Sequence, residues 1–245
     1  MMILGWLRQL LRIAKRILLK SHHWMIWKSC SDANREFFDT EDFPWIAELE
    51  SNWKLIRSDV DHALRSRDKI PSFTDVDKYE VLIANHKWKT LFFWIWGEPV
   101  IETCELYPNT AGLLDKIPNM TTAMFSILDG DVRIPPHVGP FKGVLRYHLG
   151  LSVPASDERC SIRVGNEVRT WQEGRSLVFD DTFEHEAWNL TQRHRVVLFV
   201  DFMRPMPWHL AALNRLILRL TMNFSPYVIE WREKARKYAR ELKRA

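Results

Sequence analysis

From Thr122 onward the sequence breaks into short apolar runs separated by turn residues, and that rhythm narrows the fold more than any other feature. "TAMFSILDG" runs into a turn at Asp129-Gly130, and "GVLRYHLGLSVP" alternates. "CSIRVGNEVRTW" is two short runs around Gly165-Asn166, a hairpin signal. "RSLVFDD" and "HRVVLFVDFMRP" follow. Several short strands in succession predict an antiparallel barrel: a double-stranded β-helix, or jelly roll, of the cupin type, with flanking helices.

The rest of the chain reads around that core. Residues 1–65 read as a helical segment interrupted near "SCSDANREFFDTEDFP", with one helix starting at Asp42 or Pro44. Residues 66–207 form the barrel domain, preceded by a strand in "WKTLFFWIWGEPV" and a short helix in "NTAGLLDKIP". Residues 208–245 return to helix. Apolar residues make up 46% of the chain, enough for a sizeable core. Cys30, Cys104 and Cys160 lack paired spacing. That opposes a disulfide scaffold or a cysteine zinc site and predicts a reducing, cytoplasmic setting.

The net charge of +4 is carried by the two ends, leaving the middle net acidic. A nucleic-acid partner is therefore not expected, since it would want a basic face on the folded domain. Residues 1–20 place Leu7, Leu10, Leu11 and Ile17 on one side of a helical wheel and Arg8, Arg12, Lys15 and Arg16 opposite. A basic amphipathic helix of this kind suits an anionic membrane surface; the competing account packs it on the domain itself. Leu210, Leu213, Leu216 and Ile217 beside Arg215 and Arg219 repeat the pattern at the other end.

Strand periodicity singles out side chains. Val144, Arg146, His148 and Gly150 share one face, and Leu145, Tyr147, Leu149 and Leu151 the other, which should pack on a second layer. Arg195, Val197, Phe199 and Asp201 share a face in the last strand. Two arginines entering a barrel call for an anion, and a small dicarboxylate would serve both. Plain ion pairs are the structural alternative: Arg146 with Asp180 or Asp181, and Arg195 with Asp201. His137, in a loop or strand start after Pro135-Pro136, and His185, after "FDD", supply two imidazoles to a metal site of the two-histidine, one-carboxylate type. The acid expected two residues after the first histidine is Gly139. The "FDD" acids are read as orienting His185 and not as catalytic, and His22-His23 as interfacial.

The stretches "SILDGDVRIPPHVGPFKGVLRYHLGL", "GNEVRTWQEGRSLVFDDTFEHEAWN" and "RHRVVLFVDFMRP" resemble the aspartyl/asparaginyl β-hydroxylase family of iron(II)- and 2-oxoglutarate-dependent dioxygenases, over roughly residues 120–207. Ser126 lies 11 residues before His137, Arg146 and His148 lie 9 and 11 after it, and Arg195 lies 10 after His185. The resemblance implies that His137 and His185 bind Fe(II). It implies that Arg195 and Ser126 hold the distal carboxylate of 2-oxoglutarate, with Arg146 and His148 at the carboxylate beside the keto group. It also implies that Gly139 is compatible with activity, since animal aspartyl hydroxylases of the family carry glycine there whereas the lipid A hydroxylases keep an aspartate. The expected substrate is a peptidyl aspartate or asparagine. The alternatives are a lipid acyl chain at a membrane surface, a small molecule, or a non-catalytic relative that binds a dicarboxylate or a partner.

Overall fold

The computed structural model describes residues 2–76, 86–154, 157–220 and 225–244; the side chains of residues 2–5, 7–16 and 76 lie outside the description. The amphipathic face read from Leu7, Leu10, Leu11, Arg8, Arg12, Lys15 and Arg16 falls among them. The chain opens with a long helix, α1 (Met2–Ser29). A two-residue strand, β1 (Phe37–Phe38), leads to α2 (Trp45–Ser51) and α3 (Trp53–Arg65). The sequence read these two helices as one. Asn52 divides them: its backbone N–H and its side-chain amide both donate to Glu48 O, at 3.2 and 2.8 Å, closing the first helix.

A short α4 (Phe73–Val76) precedes β2 (Trp88–Ile95). The aromatic strand then turns back through Trp96 (φ 49°) and Gly97 (φ 82°) into β3 (Glu98–Pro99). Helices α5 (Ile101–Leu106) and α6 (Pro108–Leu114) follow, the second started by Pro108. Eight strands come next: β4 (Met120–Leu128), β5 (Val132–His137), β6 (Val144–Ser152), β7 (Cys160–Val164), β8 (Glu167–Thr170), β9 (Ser176–Phe179), β10 (His185–Asn189) and β11 (Arg195–Met203). Helices α7 (Trp208–Leu218) and α8 (Pro226–Lys243) complete the described chain.

The strands form two antiparallel sheets, ordered β1-β9-β6-β11-β4-β2-β3 and β5-β10-β7-β8. This is the double-stranded β-helix that the turn spacing predicts, with the hairpin at Gly165 (φ 56°) joining β7 to β8. The sequence left "VRIPPH" open between loop and strand start. It forms β5, where Pro135 and Pro136 are tolerated because the strand lies at a sheet edge.

Two apolar layers hold the fold. Leu145, Tyr147, Leu149 and Leu151 face outward from the larger sheet and pack with Ile46, Leu49, Ile56 and Val60 of α2 and α3. Met124, Val197 and Phe199 face inward and meet Ile134, Ile162, Val164 and Ala187 of the smaller sheet. The predicted alternation in β6 is therefore observed, and its polar face looks between the sheets.

The second half of α1 docks on the domain. Ile26 is buried, His22 stacks on Phe141 with ring centroids 5.1 Å apart, and Lys142 N donates to His23 Nε2 at 2.7 Å. Trp24 and Trp27 stay exposed on its other side. Burial, helped by the neighbouring His23, pulls the His22 pKa down to about 4. Between pH 6.5 and 4 the unfolded chain binds a proton at this site that the folded one refuses, so stability should fall as pH falls through that window. Melting curves should show a shallower acid slope for His22→Phe than for the wild type.

Candidate active site

Strand pairing brings the two histidines together. His137 ends β5 and His185 starts β10, and the two are cross-strand partners. Their ring centroids lie 4.1 Å apart. Each ring gives its Nδ1–H to a carbonyl two residues earlier, His137 to Pro135 O at 2.9 Å and His185 to Phe183 O at 3.0 Å. That leaves Nε2 of each ring with its lone pair available. Burial lowers both pKa values, that of His185 to about 3 with help from His137 and Arg146, so both rings are neutral near pH 7. Neutral imidazoles in one tautomer, side by side, fit a divalent metal such as Fe(II). Among the described residues, no third histidine, cysteine or carboxylate completes a group of three around them.

Gly139 shows why no acid stands two residues after His137. Its N–H donates to Asp181 O at 2.7 Å, and a Cβ at this position would collide with the Asp181 carboxylate. The space a side chain at 139 would need is filled from the other histidine loop. Burial pushes the Asp181 carboxyl up to about 7 against the pull of Arg146.

The two arginines have different surroundings. Arg146 lies across from Asp201 in the sheet and pairs with both Asp201 and Asp181, each at 2.9 Å. Arg195 does not pair with Asp201. It is 2% exposed, its guanidinium lies over the Trp171 ring at 4.4 Å, and its polar contacts are Ser126 O and Oγ at 3.5 Å. Its Nε is buried without a hydrogen-bond partner among the described residues. Burial lowers the Arg195 pKa to about 10, which still leaves it charged at neutral pH. A buried cation without a carboxylate is costly in an apoprotein and calls for an anionic ligand.

Register places the rest of an anion cradle around it. Ser126 on β4 and Gly150 on β6 both sit across from Val197, with His148 two residues before Gly150 on the same face. Trp171 Nε1 donates to His148 Nδ1 at 3.3 Å, which puts the proton of this ring on Nε2. Among the described residues that buried Nε2 has no hydrogen-bond partner, and burial beside Arg195 holds the ring neutral. Trp88 Nε1 donates to Ser126 Oγ at 3.0 Å, so the Ser126 hydroxyl proton can serve a ligand. A cation, an N–H donor and an O–H donor thus converge from three neighbouring strands, as a small dicarboxylate requires.

Sequence reasoning passed over Trp88, Trp171 and the role of Asp181. The tryptophans were set aside as core; the signal that could have drawn them out is that a buried indole N–H needs an acceptor. Trp171→Phe removes the bond that sets the His148 tautomer. It should weaken dicarboxylate binding about tenfold, the worth of one neutral hydrogen bond, by calorimetry.

A second buried cluster joins the histidine loops. Asp180 accepts from Lys142 Nζ at 2.8 Å and from Arg204, and Arg204 Nε donates to Lys142 O at 3.2 Å. Lys142 follows His137 and Asp180 precedes His185, so the cluster ties the two histidine-bearing loops together.

Fold and site together define a double-stranded β-helix protein with a histidine pair and an anion cradle between its sheets. Residues 50–205 match the family described as aspartyl/asparaginyl beta-hydroxylase, and the chain belongs to that family of hydroxylases. It is 41% identical over 198 residues to an ornithine lipid ester-linked acyl 2-hydroxylase of Rhizobium tropici, covering 80% of this chain and 70% of that protein. It is 37% identical over 165 residues to the human aspartyl/asparaginyl beta-hydroxylase, covering 65% of this chain but 21% of that longer protein. Among solved structures, a cupin domain of an XRE family transcriptional regulator from Enterobacter cloacae aligns over 49% of this chain and 99% of its own, with 12% identity and a TM-score of 0.33. The fold assignment here rests on the strand order.

Proposed function

We propose that this chain is an Fe(II)- and 2-oxoglutarate-dependent hydroxylase that acts on the acyl chain of a lipid at a membrane surface. His137 and His185 would hold the iron. Arg195, Ser126 and His148 would hold 2-oxoglutarate, with Arg195 meeting the carboxylate far from the metal. The iron and cosubstrate supply the oxidation when bound, with 2-oxoglutarate decarboxylated to succinate and one oxygen atom of O2 passed to the substrate carbon. The protein would supply the neutral ligand pair, the cation that grips the cosubstrate, and a largely apolar chamber for the carbon to be hydroxylated.

The chamber carries the choice of substrate. A cavity of about 330 Å³ opens beside Arg146 and Asp181 and is walled by Phe92, Met124, Phe141, Val144 and Phe199. An aspartyl side chain would need a cation there, and the guanidinium facing the chamber, Arg146, already lies between two carboxylates. Apolar walls suit a hydrocarbon chain. The similarity to a lipid acyl hydroxylase points the same way. The similarity to the human enzyme keeps a peptidyl substrate as the second reading. The basic amphipathic α1, with Trp24 and Trp27 exposed, would seat the protein on an anionic bilayer.

The test begins without oxygen. Fe(II) and 2-oxoglutarate added to the purified protein should produce a visible metal-to-ligand charge-transfer band, weakened in His137→Ala and Arg195→Ala. Absence of the band in folded protein at saturating iron and 2-oxoglutarate would overturn the cofactor assignment. With oxygen, mass spectrometry should find one added oxygen on acyl lipids and none on aspartyl peptides; the reverse would select the peptidyl reading. Deleting residues 1–20 should release the protein from anionic vesicles while leaving iron binding in place. Unchanged sedimentation with vesicles would sink the anchor.

A further inference from the structure

The loop that joins β5 to β6, residues 138–143, walls the chamber with Pro140 and Phe141. Two helices grip that loop. From α1, His22 stacks on Phe141 and His23 accepts the N–H of Lys142. From α7, the buried Asn214 donates Nδ2 to Gly143 O at 2.7 Å. Leu19 of α1 and Leu213, Ile217 and Leu218 of α7 pack with Phe141 and Val144 in one apolar cluster. Leu19 also lines the chamber itself. Both helices lie outside residues 50–205, the stretch shared with the family, yet both are mounted on the chamber's wall.

The outer side of α7 is exposed and apolar. The sequence pattern grouped Leu210, Leu213, Leu216 and Ile217 on one side, and the fold splits them: Leu210 and Ile217 are buried, whereas Leu216 is 52% exposed. Trp208, Ala212 and Leu216, four residues apart, form an exposed stripe instead, with Trp208 83% exposed. Leu220, just past the helix, is 58% exposed. Arg215 and Arg219 stand exposed beside the stripe. On α1, Ile17, Trp24 and Trp27 are exposed next to Lys20 and Lys28. Neither helix contains an acidic residue. Large apolar side chains rimmed by cations, with no acid among them, complement an anionic bilayer in both hydrophobicity and charge. Exposed indoles suit the same place, since tryptophan settles at the boundary between headgroups and acyl chains.

We propose that α7 is a second membrane-docking element, and that its outer stripe and the exposed face of α1 form one contact surface for an anionic bilayer at the rim of the chamber. The inference rests on the acyl reading above and deepens it: the acyl chain passes from the bilayer into the chamber without the lipid first dissolving in water. Trp208, Leu216 and Leu220 enter the acyl boundary, and Arg215 and Arg219 meet the anionic headgroups. Two modest contacts carried by one domain bind as a bivalent unit, so the loss of either half releases the protein.

The test uses the full chain and sucrose-loaded vesicles of phosphatidylcholine and phosphatidylglycerol in equal parts. Leu216→Glu and Trp208→Glu should each lower the partition coefficient at least about tenfold, the worth of one large apolar side chain leaving water. Val168→Glu, at a residue 50% exposed on β8 in the smaller sheet, should leave it unchanged. Vesicles of phosphatidylcholine alone should bind the wild type more weakly than the anionic ones. Melting curves check that each variant is folded. If both α7 variants sediment with vesicles as the wild type does, the role of α7 is overturned, and the α1 anchor and the acyl reading stand. If the wild type ignores vesicles and forms a dimer that Leu216→Glu dissociates, a second copy of the chain covers this face and the docking surface is overturned. If the vesicle results hold but mass spectrometry finds no oxygen added to any acyl lipid, the docking surface stands and the acyl reading falls.

Discussion

Replacing Arg195 with methionine should raise the melting temperature of the ligand-free protein and abolish its response to 2-oxoglutarate. Most substitutions of a buried residue do the opposite. Arg195 is fully enclosed and, among the described residues, has no carboxylate partner and leaves Nε unsatisfied. Methionine has a similar length, packs on Trp171 and brings no charge out of water. Replacing buried charge with apolar bulk can stabilise a fold by about 1–3 kcal/mol, which in a chain of this size is a shift of about 2 °C or more. Binding should move the other way. Losing the cation from a buried charge pair costs at least about 100-fold in affinity. Arg195→Lys keeps the charge but not the planar fork, and should fall between the two. Thermal melts with and without 2-oxoglutarate read both effects together. A lower melting temperature for the methionine variant would mean that the protein itself satisfies this arginine.

Installing the acid that the ligand pattern lacks should also fail. Gly139→Asp restores the usual third carboxylate on paper. In this fold the new side chain would meet the Asp181 carboxylate, already buried and already carrying a raised pKa. Overpacking and a second buried acid together should cost about 3 kcal/mol or more. Iron affinity should drop because the loop after His137 is forced away. Clearing the space first should reverse both losses: Gly139→Asp combined with Asp181→Gly is expected to melt close to the wild type and to bind iron better than Gly139→Asp alone. Equal iron affinity in the single and double variants would show that the two positions do not share one space.

How far the sequence reached depended on the range of the interactions involved. Alternation within a strand is local, so the inward face of β6 and that of β11 could be read from residue identities, and the turns around Gly130 and Gly165 marked the barrel. The resemblance to the hydroxylase family singled out His137 and His185, whose adjacency in space follows once β5 and β10 pair. Partner choice was not legible, because it depends on which strands become neighbours. Arg146 and Asp201 are cross-strand partners, so Arg146 takes the acid that the sequence had offered to Arg195. Asp181 belongs to a local motif, yet its effect on Gly139 exists only when the two histidine loops meet. Trp88 and Trp171 looked like core because they are core; their second role lies in one N–H each. The break at Asn52 was hidden because the apolar spacing continues across it.

The Lys142–Asp180–Arg204 cluster has a consequence for how the histidine pair would meet the proposed metal. Three charged side chains, 8%, 0% and 1% exposed, bind the two histidine-bearing loops to each other and to the end of β11. A site whose ligands hang on separate mobile loops must surrender conformational entropy when the ion arrives, about 1–2 kcal/mol for each backbone residue ordered. Here the cluster already holds the two loops together, so that cost would fall before any ion arrived. In the proposed site, metal could leave and return without the loops unravelling, so a site of two histidines could be refilled from solution as often as it emptied.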